Sequence, residues 1–246
     1  MPLVVEVCIE TLPEAIQAAE AGASRLEVCS GMSESGTTPS IGLVSAILER
    51  VKVPAFVMIR PRGGDFVYDD AELDVMLRDI EAVKRAGAHG IVSGALESSG
   101  QIDCEMTRSL REAAAPLPFT FHRAFDLAPE LEQALEELKE LGVSRVLTSG
   151  GASTALVGAD AIARLRRRAG SAITMLAGGG VRAPHAAELV RTSGVTEVHA
   201  RPTRRRSALS NTPRDIRFGS NTPVPTRTEL DPDAVRALVH ALASVV

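Results

Sequence analysis

Short apolar runs alternate with longer amphipathic stretches along nearly the whole chain. The runs are Val4–Cys8, Arg25–Cys29, Pro54–Ile59, Gly90–Ser93, Phe119–His122, Arg145–Thr148, Ala172–Ala177 and Thr196–His199. Each has the length and apolar character of a buried strand. The intervening stretches carry apolar residues at helical spacing: Leu12–Ala21, Ile41–Val51, Asp70–Ala86, Asp103–Ala114, Pro129–Leu141, Ala159–Ala169, His185–Thr192 and a closing Asp231–Val246. Thr11 is placed to cap the first helix, with Pro13 in its first turn. Gly22, Gly87, Gly142 and Gly194 stand where a helix must end before the next strand begins.

Eight strand–helix units over ~250 residues predict an α/β fold of the (β/α)8 TIM-barrel type. The expected organisation is a single domain, 1–246, with a long loop after strand eight at about 200–230 and a closing helix over 231–246. An open doubly wound sheet competes, but it would carry a GxGxxG turn after the first strand, and none is there. With no Trp and one Tyr, the core has to be built from Val, Leu, Ile and Ala, which suits parallel strands under Ala-rich helices.

Charge and cysteine content narrow the setting. A net charge of -4 makes no case for nucleic-acid binding. No apolar run nears the ~18–20 residues that span a bilayer, and Met1–Glu6 lacks a basic leader. The three cysteines, Cys8, Cys29 and Cys104, form no CxxC pair. A cytoplasmic protein with reduced thiols is expected, without nucleic-acid or membrane partners.

In a barrel the chemistry collects at the C-terminal ends of the strands. Strands one, two and eight carry related phrases there: Glu6-Val7-Cys8, Glu27-Val28-Cys29 and Glu197-Val198-His199. The two-residue period puts each Glu and the following Cys or His on one face, toward the barrel interior. Buried carboxylates need partners, and Arg60 and His122 are the expected ones. Three uses remain open. The glutamates could be structural ion pairs. Glu27 or His122 could move protons as a catalytic acid or base. Cys8, Cys29 and His199 could ligate a soft metal such as Cu(I), although buried cysteines serve equally as small hydrophobes.

A second set of residues points to an anionic ligand. Arg60, Arg62 and Asp65 cluster in Ile59–Tyr68, around the turn Gly63-Gly64. Arg123 and Asp126 follow strand five. Ser149-Gly150 and Gly178-Gly179 make glycine turns after strands six and seven, where many barrels hold phosphate. The Arg-, Ser- and Pro-rich stretch after strand eight is expected to be a mobile cover.

Four motifs together resemble the CutC family, named for copper homeostasis. They are Arg60-Pro61-Arg62-Gly63-Gly64-Asp65-Phe66-Val67-Tyr68, Phe121-His122-Arg123-Ala124-Phe125-Asp126, Arg145-Val146-Leu147-Thr148-Ser149-Gly150 and Glu197-Val198-His199. The resemblance runs from Val4 to about Arg201. It implies a (β/α)8 barrel, a cytoplasmic role in copper handling with copper as the bound ion, and homo-oligomers, dimeric or higher. The segment from Pro202 to Leu230 has no match in that pattern. The arginine-rich motifs look better suited to a small phosphorylated or carboxylated metabolite than to copper, so a barrel-mouth enzyme is the alternative expectation.

Overall fold

The computed structural model describes residues 3–207, 217–218, 222–223, 226–243 and 245. Eight parallel strands pair in sequence order and close into a barrel. They are β1 (Val4–Ile9), β2 (Arg25–Val28), β3 (Ala55–Met58), β4 (Gly90–Ser93), β5 (Phe119–Phe121), β6 (Arg145–Thr148), β7 (Thr174–Gly178) and β8 (Glu197–Ala200), with β8 pairing back onto β1. The helices are α1 (Leu12–Glu20), α2 (Ile41–Arg50), α3 (Asp70–Arg85), α4 (Cys104–Ala114), α5 (Leu131–Glu140), α6 (Ala159–Ala169), α7 (Ala183–Ser193) and α8 (Pro232–Ala243). The predicted (β/α)8 barrel is the observed fold. Among the described residues no helix is long and apolar enough to cross a membrane.

Local chemistry explains the element ends. Thr11 caps α1 by accepting from the Glu14 backbone N–H. At α3, Asp69 accepts from the Glu72 N–H while the Glu72 carboxylate accepts from the Asp69 N–H, a reciprocal capping box. Asp69→Ala is expected to cost about 1 kcal/mol of folding free energy, read from urea denaturation; an unchanged midpoint would show that the box adds nothing. Gly22, Gly87, Gly142 and Gly194 all sit at positive φ just beyond helices, as their spacing predicts.

The two faces of the strands diverge. Val5, Val7, Leu26, Val28, Val57 and Val198 join the large apolar core that includes the helices. The alternate positions form a separate interior group, Cys8, Cys29, Phe56, Met58 and Val92, with Met32 packed against it. Gly90 makes room there: a Cβ at that position would lie 2.6 Å from the Phe56 ring.

The segment after β8 departs from the expected plain loop. β9 (Thr203–Ser207) pairs antiparallel with β12 (Thr226–Leu230), and β10 (Arg217–Phe218) pairs with β11 (Thr222–Pro223). Arg204 and Arg206, two residues apart on one strand face, both reach the Glu229 carboxylate, at 3.1 and 3.0 Å. The Leu230 N–H donates to Glu14 on α1, tying the base of the hairpin to the barrel. The mobile cover was expected over about 200–230; its arginine run, Arg204 to Arg206, lies in β9, and residues 208–216, 219–221 and 224–225 lie outside the described ones.

Candidate functional site

The floor of the barrel mouth is an ion network. Arg25, at the start of β2, donates from Nε to Glu6 Oε2 at 2.5 Å and from Nη2 to Glu197 Oε2 at 2.5 Å. Arg145, at the start of β6, donates to Glu197 at 2.7 Å. Both guanidiniums lie over the Phe56 ring, 5.0 and 5.2 Å from its centroid. The expected counter-ions for the interior glutamates are thus corrected. Arg25 and Arg145 fill that role, not Arg60 and His122. Arg25 and Arg145 sit at strand starts, one period below the residues at the mouth. The signal was in the sequence: Arg25 shares the two-residue alternation with Glu27 and Cys29.

Above the network, Glu6 Oε1 holds His199 Nδ1 at 2.7 Å, and His199 Nε2 lies 3.8 Å from Glu27 Oε2. Cys8 Sγ, a Glu27 carboxylate oxygen and a His199 ring nitrogen lie within 4.8 Å of one another. Parallel register produces this convergence, because Cys8 is paired with Glu27 and Glu6 with His199 across β2–β1–β8. Cys29 lies beside them, its thiol donating to Glu27 Oε2 at 3.4 Å. Arg201 Nη1 approaches Cys8 Sγ at 3.9 Å, and its Nη2 donates to Glu10 at 2.5 Å.

Burial and neighbours set the protonation states. Burial would raise the Glu6 carboxyl, but the His199 hydrogen bond and the Arg25 charge outweigh it and bring its pKa down to about 2. His199 moves the other way. Burial opposes its charge, yet Glu27 and the Glu6 hydrogen bond raise it to about 9. Glu27 is raised, with burial dominating the charge of His199. The Cys29 thiol is pushed well up by its hydrogen bond with Cys8 and by burial. His122 drops to about 3 through burial and then the Arg60 charge, so its ring is neutral.

A cavity of about 510 Å³ opens over this group. Of the residues singled out in the sequence, Glu27, Arg60, His122, Arg123, Asp126 and His199 line it, together with Gly179. Arg62 and Asp65 are not in its lining. They pair with each other at 3.1 Å, and Arg62 also grips Glu72 on α3 at 2.5 Å. Arg60 is 2 % exposed and spends its guanidinium on the carbonyls of Glu34, Gly36 and Gly64, stapling the loop after β2 to the loop after β3. The turn after β6 already holds an anion of its own. Asp126 accepts from the N–H groups of Ser149 and Gly151, from Ser149 Oγ, and from Thr148 Oγ1. Gly150 N–H goes to Thr148 Oγ1. Gly178 is required by packing, since a Cβ there would lie 2.5 Å from Leu147 and 3.1 Å from His199. Met32, which the sequence reading did not single out, lines the cavity and meets Cys8.

A closed (β/α)8 barrel with thiol, imidazole and carboxylate converging at its mouth defines a class: a barrel protein with a mixed soft and hard donor site. The chain belongs to the CutC family, whose model matches residues 3–203. The copper homeostasis protein cutC homolog of Homo sapiens is 48% identical over 201 residues, covering 81% of this chain and 74% of the human one. A CutC protein of Chromobacterium violaceum is 41% identical over 247 residues, 98% of this chain and 99% of its own. That alignment extends through the segment after Pro202, which the four motifs left unmatched. The crystal structure of CutC from Streptococcus agalactiae aligns with a TM-score of 0.76 at 33% identity, over 80% of this chain and 97% of that one. Phosphoribosylanthranilate isomerase from Thermotoga maritima, at 14% identity and a TM-score of 0.60, shares the fold alone.

Proposed function

We propose that the barrel mouth binds copper, as Cu(I), through Cys8 Sγ and His199 Nε2 with Cys29 and Glu27 beside them, and that this binding serves copper homeostasis in a reducing cytoplasm. The observation that carries the reading is the convergence of Cys8, Glu27 and His199 within 4.8 Å. Metal bonds to nitrogen and sulfur of about 2.0–2.3 Å bring donors to within ~4.5 Å of each other, so small side-chain rotations suffice. Glu6 supports the assignment, because a carboxylate on Nδ1 leaves Nε2 to the metal and fixes the ring plane. Thiols select Cu(I) over harder ions, and all three cysteines are free. The relatives' names point the same way.

The test is anaerobic competition against a chromophoric Cu(I) chelator. The wild-type protein is expected to withdraw the ion, and the Cys8→Ser/Cys29→Ser double variant to lose that ability while keeping its far-UV dichroism. Equal affinity in the two proteins would remove these ligands from consideration.

The 510 Å³ cavity keeps a second reading in play, since it exceeds what one ion fills. On that reading Glu27 and the neutral His122 exchange protons with a small phosphorylated or carboxylated metabolite. It has less support, because Arg60, Arg62 and the amides after β6 are already engaged within the protein. A thermal-shift panel of sugar phosphates and carboxylates tests it, and a panel without a hit would dismiss it.

A further inference from the structure

The copper reading names two thiols and an imidazole, but the wall beside them holds more sulfur. Met32 stands in a short 3-10 turn, Met32–Glu34, directly after β2. The Cys8 thiol donates to Met32 Sδ at 3.7 Å. A Cβ placed at Gly36 would lie 3.5 Å from both Cys29 Sγ and Met32 Sδ, so the two sulfurs border the same small space. Met58, buried on β3, belongs to the same interior group. Met32 itself is half-buried and faces the cavity.

The turn that carries Met32 is held in place from three sides. The Met32 N–H donates to Glu10 Oε1 at 2.9 Å. Glu10 in turn holds Arg201, whose other nitrogen reaches Cys8. Arg60 ties the far end of the turn through the carbonyls of Glu34 and Gly36. The thioether is therefore presented to Cys8 by a fixed backbone rather than by a free side chain.

We propose that Met32 is a third ligand of the site, completing a trigonal set with Cys8 and His199 on a wall that Cys29 also borders, and that its sulfur favours Cu(I) over Cu(II) and Zn(II). The proposal rests on the copper reading and deepens it. Donors around a trigonal ion with bonds of about 2.2 Å lie about 3.8 Å apart, and the Cys8–Met32 sulfur separation of 3.7 Å matches. A thioether is neutral and polarizable, so it adds little for a hard or borderline dication and much for Cu(I). When the ion binds, the Cys8 thiol and Nε2 of the protonated His199 each release a proton to solvent, and the S–H···S contact becomes two metal–sulfur bonds, with no change in oxidation state.

The experiment compares the wild-type protein with Met32→Leu, which keeps apolar volume and removes the sulfur. Both are loaded with Cu(I) and examined by chelator competition and X-ray absorption, with Zn(II) affinity measured in parallel. Met106→Leu, on α4, is the control. Met32→Leu is expected to bind Cu(I) about tenfold more weakly, to show one fewer sulfur neighbour, and to bind Zn(II) as the wild type does. The control is expected to match the wild type throughout. If the wild type binds Cu(I) and Met32→Leu binds it equally, with the same sulfur count, then Met32 only packs on Cys8 and this inference fails alone. A wild-type protein that takes up no Cu(I) overturns the copper reading and this inference with it.

Discussion

Arg25→Ala is expected to lower folding stability by about 3–5 kcal/mol, the cost of stripping one partner from a buried ion pair. Arg25 is 6 % exposed and bridges two carboxylates, Glu6 and Glu197, that belong to different strands. Its removal leaves Glu6 with only His199 and takes from Glu197 one of its two arginines. It also removes a guanidinium from the Phe56 face. Arg25→Lys should recover part of the loss, since a point charge cannot bridge both carboxylates in the plane a guanidinium fork uses. Arg145→Ala should cost less, because Arg25 still holds Glu197.

Acid sensitivity gives an independent readout. Glu6 has its pKa lowered from 4.5 to about 2, so its contribution is present above pH 4.5 and fades as pH falls through 2. Without Arg25 that depression shrinks, and acid unfolding should begin at higher pH. Urea denaturation followed by far-UV dichroism at several pH values measures both effects. A loss below about 1 kcal/mol would mean that the network is solvated in the folded protein.

Linear pattern carries part of this site and not the rest. Strand and helix order was legible because four of the helices end at a glycine before the next strand, such as Gly87 at φ 93° before β4. The shared face of Glu6 and Cys8, and of Glu27 and Cys29, followed from the two-residue period alone. Their partners did not. Arg25 and Arg60 both follow the interior alternation, but Arg25 begins β2 and meets carboxylates, while Arg60 lies two residues beyond β3 and meets loop carbonyls. Cys8 and Met32 are 24 positions apart, and the cation beside them, Arg201, is 193 positions from Cys8. No local spacing announces such a group. The pairing of β9 and β12 was hidden for another reason: its strands are polar and lack apolar alternation, with Arg204 and Arg206 meeting Glu229 across the ladder.

Asp126 is the second residue with a large expected effect. The sequence offered it as part of an anion-binding mouth, and the structure makes it the anion. Its two oxygens receive Thr148 Oγ1, the Ser149 and Gly151 N–H groups, Ser149 Oγ and Arg123 Nε, all within 3.1 Å. One carboxylate thus closes the turn after β6 and joins it to the segment after β5. Asp126→Asn exchanges an acceptor for an NH₂ group that would face donors, and the cost should be about 3 kcal/mol, since hydrogen bonds to a charged acceptor contribute about 1.5–3 kcal/mol each. Asp126→Ala empties the turn instead. Inorganic phosphate should then raise the melting temperature of Asp126→Ala more than that of the wild type, because only the variant has unpaired N–H groups and a released Arg123 to offer it. Equal shifts in the two proteins would mean that phosphate binds elsewhere, and a larger shift in the wild type would restore the metabolite reading of the mouth. The physical distinction is between a turn built to receive an outside anion and one that carries its own, and the donors that Asp126 now occupies are the ones the phosphate experiment sets free.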